Sequence, residues 1–206
     1  CGGYNSNLIK LTRQFIREKY ADQQKKGNVH ILPLGKKGFE NFSKGGFKVI
    51  DKYWEIFTGL SFEKVQEVAQ FVREGFAARQ YDAVYIIYSQ FKNAATQDFT
   101  VEQYLPVAKV AQTADSGTKA DFIYEPGKEV LVAELMPKIL NTQLFKAALD
   151  AHASEHGARM TAMDKANDNA NELLKSLKIS YNRARQAAIT TELTEIVSGA
   201  AALQGA

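Results

Sequence analysis

One cysteine in 206 residues, Cys1, leaves no pair for an internal disulfide, and such a chain suits a reducing compartment. No run approaches the roughly 18 to 20 apolar residues that cross a bilayer, so any link to a membrane is indirect. Charge of one sign is also scarce. The 26 basic and 23 acidic side chains leave a net +3, which gives no argument for nucleic acid. Phosphate-binding fingerprints are missing too: Gly35-Lys36-Lys37-Gly38 lacks the spacing of a P-loop, and no dinucleotide glycine pattern occurs. No nucleotide or other cofactor is therefore expected on this chain. The length allows one large domain, or a domain with an extension.

The first two thirds read as alternating helices and strands. Asn5 or Ser6 is placed to cap a helix over Leu8, Leu11, Phe15 and Ile16 that ends near Gly27. Val29 to Leu34 reads as a short buried strand, Gly35 to Gly46 as a polar segment with one helical turn around Phe39 and Phe42, and Phe47 to Ile50 as another strand. Ser61 caps a strongly patterned helix with Phe62, Val65, Val68, Ala69, Val72 and Phe76 on one face. Ala83 to Tyr88 is nearly all apolar or aromatic, as in a central strand covered on both sides. Phe99 to Val110 suggests edge or hairpin strands, Thr113 to Ala120 a loop, and Phe122 to Tyr124 the last strand before the Glu125-Pro126-Gly127 turn. The expected fold class is α/β, a Rossmann-like three-layer domain over residues 1–126, followed by a long helix over 127–206.

That helix has no strong break from about Lys128 to Ala202. Pro137 sits early enough to kink or step it, and Gly157 weakens it by about 1 kcal/mol relative to Ala. At 1.5 Å per residue it would extend roughly 110 Å. From Leu149 a seam runs through Ala153, His156, Met160, Met163, Asn167, Ala170, Leu174, Leu177, Tyr181, Ala184 and Ala188. Its steps alternate three and four, the period of about 3.5 that marks a coiled coil. Asn167 on the seam costs stability but fixes register. Such an edge must be covered, and nothing else in the sequence pairs with it. The helix is thus expected to form half of an antiparallel coiled coil.

The chain opens on Cys1 rather than Met. A lipidated cysteine at the start of a bacterial lipoprotein is one reading, and a fragment of a longer chain is the other. The uncovered seam favours the fragment, since a free-standing lipoprotein would have to contain the seam's partner.

The stretch from Arg185-Gln186-Ala187-Ala188-Ile189-Thr190-Thr191-Glu192-Leu193 through Thr194-Glu195-Ile196-Val197-Ser198-Gly199-Ala200-Ala201 resembles the signature of the γ subunit of F-type ATP synthases. Ala153-Ser154-Glu155, Ala158 to Met163, Asn169 and the opening Cys1-Gly2-Gly3-Tyr4-Asn5-Ser6-Asn7-Leu8 resemble the same family, as do Gly35 to Gly38, Leu105-Pro106 and Tyr124-Glu125-Pro126 more loosely. The resemblance covers the whole chain. It implies a non-catalytic rotor shaft that turns inside a ring of α and β subunits, stands on the membrane c-ring and binds the ε subunit. It also implies a helix ahead of the Cys-Gly-Gly turn as the partner of the seam. Localisation would be peripheral, on the cytoplasmic face of a bacterial plasma membrane, or on the matrix side of the mitochondrial inner membrane. No inserted cysteine pair of the chloroplast type is present, so redox control of that kind is not expected.

By the same resemblance, Arg185, Gln186, Thr190 and Glu192 match contacts with β-subunit loops, and Arg159 matches a basic position that meets an acidic loop of β. A guanidinium suits bidentate carboxylate contact. Each of these residues also suits a solvated helix face. The basic first helix, with Lys10, Arg13, Arg17, Lys19, Lys25 and Lys26, reads as a solvated face, with contact to the ring or ε as its functional alternative. His152-Ala153-Ser154-Glu155-His156 fits the H-x-x-E-H pattern of a zinc hydrolase. Catalysis there would need a third ligand and a concave pocket, and His156 lies on the seam, so no metal centre is expected. The competing function from another class is a lipid-anchored α/β binding protein whose last helix mediates oligomerisation.

Overall fold

The computed structural model describes residues 2–107, 125 and 127–204. The loop read over Thr113 to Ala120, the strand read over Phe122 to Tyr124 and the last part of Phe99 to Val110 lie outside the described residues, as does Cys1. The elements run α1 (Tyr4–Lys19), α2 (Ala21–Lys25), β1 (His30–Ile31), α3 (Lys36–Ser43), β2 (Lys48–Val49), a 3-10 turn (Ile56–Gly59), α4 (Phe62–Ala77), β3 (Val84–Phe91), β4 (Gln97–Leu105) and α5 (Lys128–Gln204). The chain divides into two compact units, Cys1–Arg159 and Met160–Ala206.

The mixed α/β class and the long C-terminal helix are as expected. The sheet is smaller than a full Rossmann-like layer: among the described residues it consists of two separate pairs. β1 and β2 are parallel, with His30 opposite Lys48, and α3 is their crossover. β3 and β4 form an antiparallel hairpin with Ile87 opposite Val101 and an irregularity between Val84 and Tyr85. The hairpin closes on itself because Asn93 Oδ1 accepts from the amides of Ala95 (3.0 Å) and Thr96 (2.7 Å), a local turn that returns the chain at once. The run read as a central strand therefore has only β4 beside it among the described residues.

α4 obeys its pattern. Ser61 Oγ accepts from the Lys64 amide at 3.4 Å, and Val65, Val68, Ala69 and Val72 are buried, while Phe62 is 38% exposed with its ring edge-on to Phe145. The helix stops in a Schellman motif: the Gln80 amide donates to Gly75 O (2.9 Å) and the Arg79 amide to Phe76 O (3.0 Å). Arg79 holds φ 56°, the position where glycine is usual. The Tyr81 ring lies over Gly75 so closely that a Cβ there would sit 2.6 Å from Cε2. The core joins Ile56, this face of α4, Tyr104 and Leu105 of β4, and Leu140, Leu144 and Ala148 of α5.

The globular elements hold α5 by its backbone as well as by its side chains. Arg73 Nη1 donates to Pro137 O (3.1 Å), Tyr104 Oη to Leu140 O (3.2 Å) and Tyr4 Oη to Ala151 O (2.9 Å). In return, buried Ser154 donates from Oγ to Ser89 O of β3 at 3.2 Å. Pro137 lies within the helix, and its missing N–H removes the usual backbone donor to the carbonyl four residues back. Gly157, read from sequence only as a weak point, has a packing reason: an added Cβ would stand 3.0 Å from Ala94 Cα in the hairpin turn. The absence of a side chain lets the hairpin tip rest on the helix.

Two boundaries differ from expectation. α1 begins at Tyr4, capped by Gly3 and with no side-chain cap, because the Tyr4 phenol is anchored to α5 and fixes the first turn there. It breaks at Tyr20 (φ −135°) rather than running to Gly27. There the Tyr20 hydroxyl donates to Tyr85 Oη at 2.8 Å, with Phe15 edge-on to Tyr85. The segment around Phe39 and Phe42 forms two turns rather than one, with Phe42 buried.

Burial, reinforced by the Glu155 charge, pushes the Tyr4 phenol up to about 12, and burial pushes Tyr104 to about 12 against an opposing effect of Arg73. Both folded values lie above the ordinary phenol value of about 10. Their contribution is therefore complete below about pH 10 and disappears as pH rises towards 12. Denaturant midpoints measured from pH 8 to 12 should fall within that window, and Tyr104→Phe should flatten the fall. A separate expectation concerns the α4 terminus: Arg79→Gly relieves the left-handed backbone and should raise stability by about 1 kcal/mol in urea unfolding. A loss on that substitution would show that the arginine side chain holds the turn.

Candidate functional site

The candidate surface is α5 itself, built from its repeat. Assigning Ile139, Lys146, Ala153 and Met160 to position a of a heptad puts Thr142, Leu149, His156 and Met163 at d. On the same lettering Leu140, Ala147 and Ser154 fall at b, and Leu144 and Ala151 at f. In a two-stranded coil a and d face the partner, whereas b and f face outward. In the unit Cys1–Arg159 it is the outward side that the globular elements cover: Leu140, Leu144, Ala147 and Ser154 are buried. The inward side stays open, with Ile139 55% and Leu149 45% exposed against 5% for Leu144. The open track begins earlier than the sequence reading placed it. Val132 and Leu135, both about half exposed, continue the same steps back from Ile139. Thr142 and Lys146 interrupt the apolar run, so the sequence pattern alone starts at Leu149.

In the unit Met160–Ala206 the track carries Met160 (52% exposed), Leu174, Leu177 (56%), Tyr181 (68%) and the small residues Ala170, Ala184 and Ala188, all exposed. An isolated helix in water is marginal, and these side chains gain nothing from folding unless another surface covers them. After Ala188 the apolar residues shift by one position to Ile189, Leu193, Ile196, Ala200 and Leu203, again in steps of four and three.

The residues expected to bind partners occupy both units. Arg159 pairs with Glu155 one turn back (Nη2–Oε1 2.6 Å), and both side chains are about one third exposed. Arg185, Gln186, Thr190 and Glu192 all stand on exposed helix. The Thr190 hydroxyl donates to Gln186 O and the Thr194 hydroxyl to Thr190 O, at 2.9 and 2.8 Å. Thr190 therefore offers a ligand its oxygen lone pairs rather than its proton. On α1, Arg13 donates to Asn41 Oδ1 (2.9 Å) and lies 6.0 Å from the Phe42 centroid, so that cation is tied to its own domain. His152 and His156 face each other with Nε2 atoms 3.2 Å apart, while Glu155 of the H-x-x-E-H pattern is held by Arg159. No group of three or more metal-ligating side chains forms among the described residues.

A mixed α/β unit docked on the outward side of a helix whose coiled-coil edge is open is a globular unit carrying one strand of a two-helix coil. The comparisons agree on which kind. The family model described as ATP synthase matches residues 1–203. The ATP synthase gamma chain of Cytophaga hutchinsonii is 46% identical over 204 residues, covering 98% of this chain and 69% of that one. The gamma chain of Flavobacterium psychrophilum is 48% identical over 205 residues, covering 100% and 69%. Among solved structures, a chain of the Euglena gracilis mitochondrial ATP synthase (OSCP/F1/c-ring, rotational state 3) gives a TM-score of 0.60 at 19% identity, covering 98% of this chain and 68% of that one. A chain of the Tetrahymena thermophila mitochondrial ATP synthase central stalk and c-ring gives 0.56 at 23%, covering 81% and 70%. The structural likenesses fix the fold; the family and the curated relatives fix the membership. This chain belongs to the ATP synthase gamma chain family.

The two faces of α5 should respond oppositely to truncation. Leu144→Ala removes a buried core side chain and should cost about 2–5 kcal/mol. Leu177→Ala, more than half exposed, should change the stability of the dilute chain by no more than about 0.5 kcal/mol. Equal losses in urea unfolding would mean that the Leu177 edge is covered by the chain itself.

Proposed function

We propose that this chain is the rotor shaft of a membrane ATP synthase, a subunit without a catalytic site of its own. It would turn within a ring of α and β subunits, rest on the c-ring and bind the ε subunit. The open a/d track, with its opposite side docked, is the observation that carries this reading. A helix so arranged is prepared to wind against a second strand, and two strands resist twisting better than one. The family resemblance assigns that strand to a helix ahead of Cys1-Gly2-Gly3, and the curated relatives are longer than this chain. We divide the function as read from the sequence, with residues 1–126 as foot and 127–206 as shaft.

The mechanism is differential binding. A ligand or partner shifts a conformational equilibrium only by the difference in its affinity for the two states. An asymmetric shaft presents a different side to each β subunit, so each rotation step changes which conformation is favoured and hence which nucleotide affinity prevails. Arg185, Gln186, Thr190 and Glu192 are the proposed contacts with β loops. Arg159 would exchange Glu155 for a β carboxylate. That exchange is nearly balanced because the pair is already one third exposed, and a near-balanced contact can release at each step.

Membrane association would be peripheral, through the complex, on the cytoplasmic face of a bacterial plasma membrane. Among the described residues no helix is long and apolar enough to cross a bilayer.

The test uses the assembled complex with this sequence in its gamma chain. A bead fixed to the foot should rotate under ATP; a stationary bead in an actively hydrolysing complex would refute the rotor reading. Deleting Thr190–Ala206, or combining Arg185→Ala with Gln186→Ala, should lower coupled ATP synthesis several-fold. Unchanged synthesis would displace the proposed contacts while leaving the rotor reading intact.

A further inference from the structure

Basic charge is concentrated near the start of this chain. Residues 1–50 carry ten lysines and arginines against three acidic side chains, although the whole chain is only +3. Between α1 and α3 lies a cleft of about 410 Å³, and Asn5, Ser6, Arg13, Lys37, Asn41 and Lys44 are among its lining. Glu40 is the one acid there, and Lys37 Nζ holds its carboxylate at 3.2 Å. Lys44 is exposed and has no ion pair among the described residues. Arg13 is already in place: it donates one hydrogen bond to Asn41 Oδ1 at 2.9 Å and lies 6.0 Å from the Phe42 centroid. The other four N–H donors of its guanidinium have no protein partner among the described residues. Gly45 keeps that approach clear. An added Cβ there would stand 3.2 Å from Arg13 Nη2 and 3.3 Å from Asn41 O.

We propose that this cleft binds a phosphate group, free or carried on a small molecule, with Arg13 as the forked donor and Lys44 as the second cation. With Glu40 offset by Lys37, these two leave a double positive charge, which a phosphate dianion balances and a single carboxylate does not. Asn5 and Ser6 supply neutral donors from the α1 side. The donors are side chains of two helices rather than the amides of a glycine loop, so the site needs no P-loop or dinucleotide fingerprint. The bound anion ties α1 to α3 beside the Arg13–Asn41 bond. No residue of α5 lines the cleft, so a second strand wound along the a/d track leaves it open. The inference therefore stands independently of the rotor reading.

Inorganic phosphate titrated calorimetrically into the protein at constant ionic strength tests it, with saturable binding of one ion per chain expected. Arg13→Lys keeps the charge but loses the fork, and should weaken binding about tenfold. Lys44→Gln, an exposed change that keeps the fold, should weaken it about threefold or more. Glu40→Gln removes the acid from the lining and should tighten binding about twofold, a gain that structural damage does not produce. Lys175→Gln, on exposed helix outside the cleft, should stay within about twofold of the parent. Glycerol 3-phosphate titrated alongside separates the sources: tighter binding than phosphate assigns the cleft to a phosphorylated molecule, weaker binding to the free ion. In the assembled complex with this sequence in its gamma chain, the preferred anion should slow hydrogen exchange in α1 and α3 but not in α4, which also tests access beside the other subunits. No saturable heat, parent affinity in Lys44→Gln, an equal loss in Lys175→Gln, or unchanged exchange in α1 and α3 would each overturn the site.

Discussion

The structure depends on which side of one helix is held. Three donors from three elements, Arg73 of α4, Tyr104 of β4 and Tyr4 of α1, bond to carbonyl oxygens of α5, and Ser154 returns a bond to β3. A side chain bonded to a backbone carbonyl fixes rotation about the helix axis more tightly than apolar packing alone, because the acceptor direction is set by the helix. With the outward positions Leu140, Leu144, Ala147 and Ser154 fixed against the globular unit, the a/d track cannot turn inward to hide. Its exposure is thus imposed by polar contacts made on the opposite side of the same helix.

The repeat could be read from sequence because a period of 3.5 survives any detail of packing, and the α4 face because six aliphatic and aromatic positions share one side. Other features depended on long-range neighbours. Nothing local says that Tyr4 will reach Ala151, so α1 starts before the better caps Asn5 and Ser6. Gly157 looks like a helix weakness until the hairpin turn arrives at Ala94. The upstream part of the track, Val132 and Leu135, was obscured by Thr142 and Lys146. Exposed Arg185, Gln186, Thr190 and Glu192 and the half-buried Arg159 are identifiable as candidate contacts only through family resemblance, since polar side chains of these types carry no distinguishing local signal.

The ends of α5 are built on different terms. Between Leu140 and Gly157 the helix gains stability from burial against its own domain, and this part behaves as core. In Met160–Ala206 the described residues are almost all exposed, and Thr190, Thr191 and Thr194 donate back to their own helix. Hydroxyls used that way slightly weaken or bend a helix rather than strengthen it. The first stretch is held by the core it completes, whereas the second leaves its apolar edge to another surface.

The composition of the track sets how firmly a second strand can be held. A seam of Leu and Ile alone would maximise burial, at about 25 cal/mol for each Å² covered. Here Thr142, Lys146, His156 and Asn167 alternate with Leu, Met and Tyr, and Ala153, Ala170, Ala184 and Ala188 leave room for close backbone approach. Polar residues at a and d lower the stability of a coil but penalise every register except the one in which they are satisfied. An element that transmits torsion needs such a single register more than it needs maximal affinity. A slip of one heptad would store no twist, whereas a polar group forced out of place resists the slip directly. The mixed seam therefore follows from the demand for one fixed register.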